Sequence, residues 1–155
     1  MVFAACEKVI ISQDENNPTL IALLNQIGAS ITVADGVKEL PATAAVSMRW
    51  NVFSLWKFLP GDAGKTFFAV VSMDSPSKRK WVTEVQEFPG DNQPFVRLVL
   101  ALTQFPVSES GEWTLRLSLG EKGGAPAKEV ATYPLLVTAI IEQKRSESGD
   151  SYETR

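Results

Sequence analysis

Residues 105–119 read Phe-Pro-Val-Ser-Glu-Ser-Gly-Glu-Trp-Thr-Leu-Arg-Leu-Ser-Leu, and their pattern indicates the fold class. After the turn at 109–111, apolar residues alternate with polar ones from Trp113 to Leu119. A period of two is typical of a strand that buries one face and exposes the other. The stretch therefore predicts a half-buried β-strand, and it says almost nothing about chemistry.

Other strand-like segments follow along the chain, and clusters of turn residues separate them. Residues 46–58 and 95–105 alternate in the same way, and residues 2–12 and 66–73 are short and rich in β-branched or aromatic residues. Short strands at regular spacing with little helical signal are typical of an antiparallel sandwich. We predict an all-β, two-sheet antiparallel β-sandwich of about seven or eight strands.

Residues 19–33 are ambiguous between strand and helix. Leu20, Leu23, Leu24 and Ile27 have the spacing of one helix face, and Asn17-Pro18 suits the start of a helix. The β-branched residues at 31–33 favour a strand instead. We predict a strand, with a short helix near 18–27 as the alternative.

Two segments have the character of sheet-edge strands. Residues 81–88 are more polar than the other strands, and residues 129–142 contain Pro134. Proline cannot donate a ladder hydrogen bond, so it is expected at an edge or a bulge. An open edge can pair with another chain.

The composition predicts one domain over residues 1–142 and a tail over 143–155. The chain has 155 residues, of which 45% are hydrophobic and 21% are charged, which is ordinary for a globular domain. The last thirteen residues are mostly charged or small and polar, with Tyr152 as their one large apolar residue. Such a segment buries too little apolar surface to fold, so we expect it to be disordered.

The composition also excludes several classes of function. The chain has no histidine and one cysteine, Cys6, so Ser-His-Asp and Cys-His catalysis and the usual zinc sites are excluded. A net charge of −3 argues against nucleic acid as a partner. No apolar run reaches the roughly 20 residues of a membrane span. We expect a cytoplasmic, non-enzymatic protein with no catalytic residues, no cofactor, no metal ligands and no membrane partner.

A cationic run beside an aromatic residue is the best candidate for a binding site. It comprises Lys78, Arg79, Lys80 and Trp81, with Val85 four residues further on. We predict a protein-binding or adaptor module that uses a sheet face or edge, either for a protein partner or for self-association. The alternative is a calcium- or carbohydrate-binding sandwich that uses its Asp- and Asn-rich turns and an exposed Trp81. Those turns contain Asp14, Asn16, Asn17, Asp62, Asp74, Asp91 and Asn92.

Several short stretches also resemble a bacterial family of single-domain, immunoglobulin-like β-sandwich proteins of unknown function. They are Ala-Cys-Glu-Lys-Val-Ile at 5–10, Leu-Ile-Ala-Leu-Leu at 20–24, Leu-Pro at 40–41, Phe-Pro-Val at 105–107 and Gly-Glu-Trp-Thr-Leu at 111–115. The likeness covers about residues 3–140. It implies an immunoglobulin-like arrangement and favours a strand over 19–27. It implies no activity and no binding residues.

Overall fold

A computed structural model describes residues 1–12, 17–83, 85–90 and 95–143. Ten strands are present in these residues. Numbered in chain order, they are β1 (Val2–Ile11), β2 (Pro18–Leu23), β3 (Gln26–Val33), β4 (Ala45–Lys57), β5 (Thr66–Asp74), β6 (Lys80–Val82), β7 (Gln86–Pro89), β8 (Phe95–Pro106), β9 (Gly111–Glu121) and β10 (Lys128–Gln143).

The strands form two sheets, as predicted. Sheet A has four strands in the order β2-β1-β4-β8. Sheet B has six and is curled into a half-barrel. Its order is β3-β10-β9-β5-β6, and β7 pairs with another part of β5. The neighbouring strands are antiparallel except β3 and β10, which run parallel.

The alternation in β9 is confirmed, and it supplies the centre of the core. Trp113, Leu115 and Leu117 are at most 1% exposed, whereas the polar residues between them are half-buried. Gly111 opens the strand at φ +134°, a conformation that side-chain-bearing residues rarely adopt. A Cβ at this position would lie 2.7 Å from the Pro76 ring, so a close approach also requires glycine here.

The core lies between the two sheets. Sheet A contributes Trp50, Val52 and Phe105, and sheet B contributes the β9 residues together with Leu135 and Val137 of β10. Burial of these large apolar side chains is the main favourable contribution to folding.

The helix alternative near 18–27 is wrong, because residues 18–33 form β2 and β3. The chain passes from sheet A to sheet B at Leu24 and Asn25. The Leu24 N–H donates to the Ala5 carbonyl at 2.9 Å, and the Asn25 carbonyl accepts from the Leu136 N–H at 2.9 Å. The helix-like spacing arises because Leu24, in the crossing itself, and Ile27, on β3, are both buried.

The predicted count of seven or eight strands is also wrong, for two local reasons. The predicted strand over 19–33 divides into β2 and β3 at the crossing between sheets. The predicted strand over 81–88 divides into β6 and β7 after Val82. There the Val71 N–H donates to the Thr83 hydroxyl at 3.3 Å, so a side chain replaces one acceptor of the backbone ladder.

The predicted edge at 129–142 is wrong only for the second half of β10, which lies between β9 and β3. β3 pairs with β10 only from Leu136 onward. Pro134 therefore pairs with Thr114 of β9 on one side and precedes the β3 pairing on the other. The missing N–H of proline is tolerated at this position for that reason.

The strand β10 extends to Gln143, and the rest of the predicted tail lies outside the described residues. Among the described residues, no helix has both the length and the apolar character needed to cross a membrane.

Neighbouring leucines on β10 test the position of the core. Leu135 is 0% exposed and Leu136 is 48% exposed. We expect Leu135→Ala to lower the free energy of unfolding by about 2–5 kcal/mol, because it removes buried methyl groups and leaves a cavity. Leu136→Ala is the matched control, and its effect should stay within about 0.5 kcal/mol. Urea unfolding followed by tryptophan fluorescence measures both, and equal effects would contradict this assignment of the two faces.

Candidate functional site

An apolar cleft opens on one side of the sandwich, between the two sheets. The last strand in the order of sheet A is β8, and the last in the order of sheet B is β6. The cleft has a volume of about 310 Å³ and receives side chains from both of these strands. Its principal lining residues are Trp50, Met73, Trp81, Val82, Leu102 and Pro106.

Tryptophan rings supply much of the cleft wall. The Trp81 ring packs on Trp113 with 4.9 Å between the ring centroids, and Trp81 is only half-buried. The Trp50 indole N–H donates to the Gln104 carbonyl at 3.0 Å, and that of Trp113 donates to the Glu109 carbonyl at 3.1 Å. Because its indole donor is satisfied internally, Trp50 offers apolar ring surface to the cleft, and Trp113 supports Trp81 from the core side.

The turn before β6 sets the position of Trp81. The Ser75 N–H donates to the Arg79 carbonyl at 2.9 Å, and the Arg79 N–H donates to the Ser75 hydroxyl at 3.2 Å. Lys78 has φ +66°, which is unusual for a residue with a side chain. β6 then pairs with the end of β5, where Trp81 lies opposite Met73.

The predicted site residues lie in different environments. Lys78, Arg79 and Lys80 are exposed and form no ion pair with any other described residue. Trp81 lines the cleft. Val85 is 55% exposed but lies between β6 and β7, outside the cleft lining.

Sequence reasoning missed the other side of the cleft. Trp50 and Leu102 lie on the apolar parity of their strands and are indistinguishable there from ordinary core residues. Val82 is 59% exposed on β6, and no sequence signal separates it from its neighbours. The cleft forms because β6 and β8, which are distant in sequence, are the last strands of their sheets and lie on the same side of the sandwich.

The acidic turn residues have structural partners where they are described. The Asp62 carboxylate accepts the Leu59 N–H at 2.8 Å, and the Asp74 carboxylate pairs with Arg116 at 2.7 Å. No group of three or more His, Cys, Asp or Glu residues that could hold a metal ion occurs in the part of the chain that the structure describes. Asp14, Asn16, Asp91 and Asn92 lie outside the described residues.

Cys6 is fully buried, and burial raises the pKa of its thiol. The reactive form of cysteine is the thiolate, so both effects oppose reactivity. The position has the properties of a small core residue and not those of a nucleophile.

The chain was compared with protein-family models, curated proteins and solved structures, and none of them matches it. The resemblance to a bacterial immunoglobulin-like family therefore stays a prediction.

Thiol labelling tests the burial of Cys6. We expect a disulfide reagent such as DTNB to react with the native protein far more slowly than with the protein in urea, because labelling requires an opening of the structure. Since Cys6 is the one cysteine of the chain, the unfolded protein provides the control. Similar rates in both states would show that Cys6 is accessible.

Proposed function

We propose that the protein is a non-enzymatic binding module that holds an extended segment of a protein partner along the open side of its sandwich. The observation that carries this proposal is the apolar cleft between the edges of β6 and β8. A cleft bounded by strand edges offers a partner both backbone hydrogen bonds and a site for apolar side chains.

The two edges favour an extended ligand. An edge strand presents N–H and C=O groups that another strand can pair with, and natural proteins usually protect such edges with charges. β8 is twelve residues long and carries one charged residue, Arg97. On β6, the exposed Val82 adds apolar surface beside the cleft. A strand added to either edge can direct alternate side chains toward the tryptophans.

The cations beside the cleft favour a partner segment with acidic residues at one end. Lys78, Arg79 and Lys80 lie immediately before and within the start of β6. Exposed charges at the rim of an interface act mainly on the association rate and on specificity. The apolar cleft therefore supplies affinity, and the cationic run sets the direction of the bound segment.

We also propose that the sandwich is immunoglobulin-like. The support is the strand order, in which β1, β4 and β8 lie side by side in one sheet and β10, β9 and β5 lie side by side in the other. Constant-type immunoglobulin domains place their first, second, fourth and fifth strands in one sheet and their third, sixth and seventh in the other. If β2, β3, β6 and β7 are additional short strands, β1, β4, β5, β8, β9 and β10 are distributed between the sheets in the same way, without a counterpart of the fourth strand. Architecture alone does not identify a partner.

Selection of short random peptides from a displayed library tests the proposed function. We expect enriched peptides to combine apolar and acidic residues and to shift the NMR signals of β6 and β8. Val82→Glu should weaken their binding about tenfold or more, because it places a charge beside the apolar cleft.

The matched control is Val130→Glu, which changes a 39% exposed valine on β10 and should leave binding unchanged. The proposal is wrong if no peptide is enriched, or if the enriched peptides bind both variants equally well. Concentration-dependent pairing of the protein with itself at the same edges would instead identify the partner as a second copy. Calcium or carbohydrate binding stays a prediction, which thermal-shift measurements with those ligands can test.

A further inference from the structure

The outer edge of β3 is open and lacks the features that usually protect the edge of a sheet. β3 is the first strand in the order of sheet B, and it pairs with β10 on one side. Its eight residues, Gln26–Val33, include neither a charged residue nor a proline. Natural proteins commonly place charges, prolines or bulges at an edge, because unprotected backbone groups can pair with another chain.

The other strands with an open edge carry such features. β2 begins with Pro18, and its backbone departs from the extended conformation at Ala22, where φ is +51°. β6, β7 and β8 each contain at least one charged residue. Of the edge strands that the structure describes, β3 alone has neither a charge nor a proline, so its edge is the best suited to strand pairing.

The free backbone groups of β3 belong to its even-numbered residues. The Leu136 N–H donates to the Asn25 carbonyl at 2.9 Å, and the parallel register then makes the odd-numbered residues of β3 bond to β10. The N–H and C=O groups that point away from β10 are those of Gln26, Gly28, Ser30 and Thr32. All four residues are exposed, and no backbone hydrogen bond from another described segment reaches them.

The inner face of β3 is apolar as far as the edge. Ile27 is 4% exposed and belongs to the core, and Ala29 and Ile31 pack against that core. Ala29 and Ile31 are only half-buried, so apolar surface stays uncovered at this end of sheet B. The edge therefore offers a partner strand both backbone hydrogen bonds and apolar side-chain contacts.

We propose that β3 pairs with β3 of a second copy of this chain, in antiparallel orientation, so that the two B sheets become one continuous sheet. The two-fold axis passes between the two copies of Ala29. Gln26 then lies opposite Thr32 of the other copy, and Gly28 lies opposite Ser30. Residues that face each other in this way exchange two backbone hydrogen bonds per pair.

Three features favour a second copy as the occupant of this edge. The register centred on Ala29 engages the backbone groups of all four even-numbered residues in both copies. The same register sets Ile27 opposite Ile31 in the closer, non-hydrogen-bonded pairs, where apolar side chains stabilise a sheet. A two-fold axis also brings identical surfaces together, and the absence of charge on β3 means that no like charges meet there.

Analytical ultracentrifugation of the full chain from low to high micromolar concentration tests the proposal. We expect a reversible monomer–dimer equilibrium. Ser30→Pro should weaken the dimer by about tenfold or more, because it removes a donor from each copy and leaves the opposing carbonyls unpaired. The lost N–H has no partner within the monomer, and proline is tolerated at such an edge position.

Ser30→Ala is the matched control, since it keeps the backbone N–H and should dimerise like the natural chain. A chain that stays monomeric throughout would leave the edge to a different protein and overturn the proposal. A dimer that Ser30→Pro leaves equally stable would also overturn it.

Cysteine cross-linking tests the register without relying on the proline variant. In a Cys6→Ala background, oxidised glutathione should link two copies of Ala29→Cys, because Cα atoms of a non-hydrogen-bonded pair lie about 4.5 Å apart, within disulfide reach. Ile31→Cys is the matched control. Its two copies would lie about 13 Å apart along the strands and should not be linked. Equal linking of both variants, or linking of Ile31→Cys alone, would overturn the pairing centred on Ala29.

The proposed dimer is independent of the proposed peptide binding. β3 and β6 lie at opposite ends of the order of sheet B, so pairing through β3 leaves the cleft of each copy open. Val82→Glu should therefore leave the dimerisation constant unchanged. Loss of the dimer in that variant would place the contact at the edge of β6 and overturn its assignment to β3.

Discussion

A continuous contact of aromatic rings between the two sheets is the interaction on which the rest of the structure depends. Trp50 and Phe105 of sheet A lie 5.3 Å apart, and Phe105 and Trp113 of sheet B lie 6.0 Å apart. The Trp81 ring continues the series at 4.9 Å from Trp113. Trp50 and Trp81, at the two ends of this series, also line the open cleft, so the series joins the core to the cleft wall.

One short segment lines both the apolar cleft and a second, polar pocket, which also receives Lys38 and Ser108. Residues 75–83 form the turn and the edge strand β6, which supply Ser77 and Arg79 to the polar pocket and Trp81 and Val82 to the apolar cleft. Backbone and side-chain hydrogen bonds hold the turn, and the Thr83 hydroxyl fixes the other end of the segment to β5.

The prediction of strands succeeded where burial on one face was strict. In β9, Trp113, Leu115 and Leu117 are buried and the residues between them are at least partly exposed, so the period of two was visible. The prediction failed where the chain leaves a sheet within a continuous apolar run, as it does at Leu24 and Asn25. It failed again at Thr83, where the hydroxyl accepts the Val71 N–H in place of a backbone carbonyl, because such a replacement leaves no mark on hydrophobic periodicity.

The amino-acid sequence by itself determined the all-β class, most of the core residues and the lack of histidine-based chemistry, because these follow from local periodicity and composition. The sequence also indicated the edge at 81–88, whereas the tertiary structure alone showed that β8 is the last strand of sheet A. The tertiary structure also brought together Trp50 with Trp81, and Lys38 with Ser108, across long stretches of chain. The proximity of residues so distant in sequence depends on sheet order and on the direction of each connection. Neither property is encoded in the pattern of a single strand.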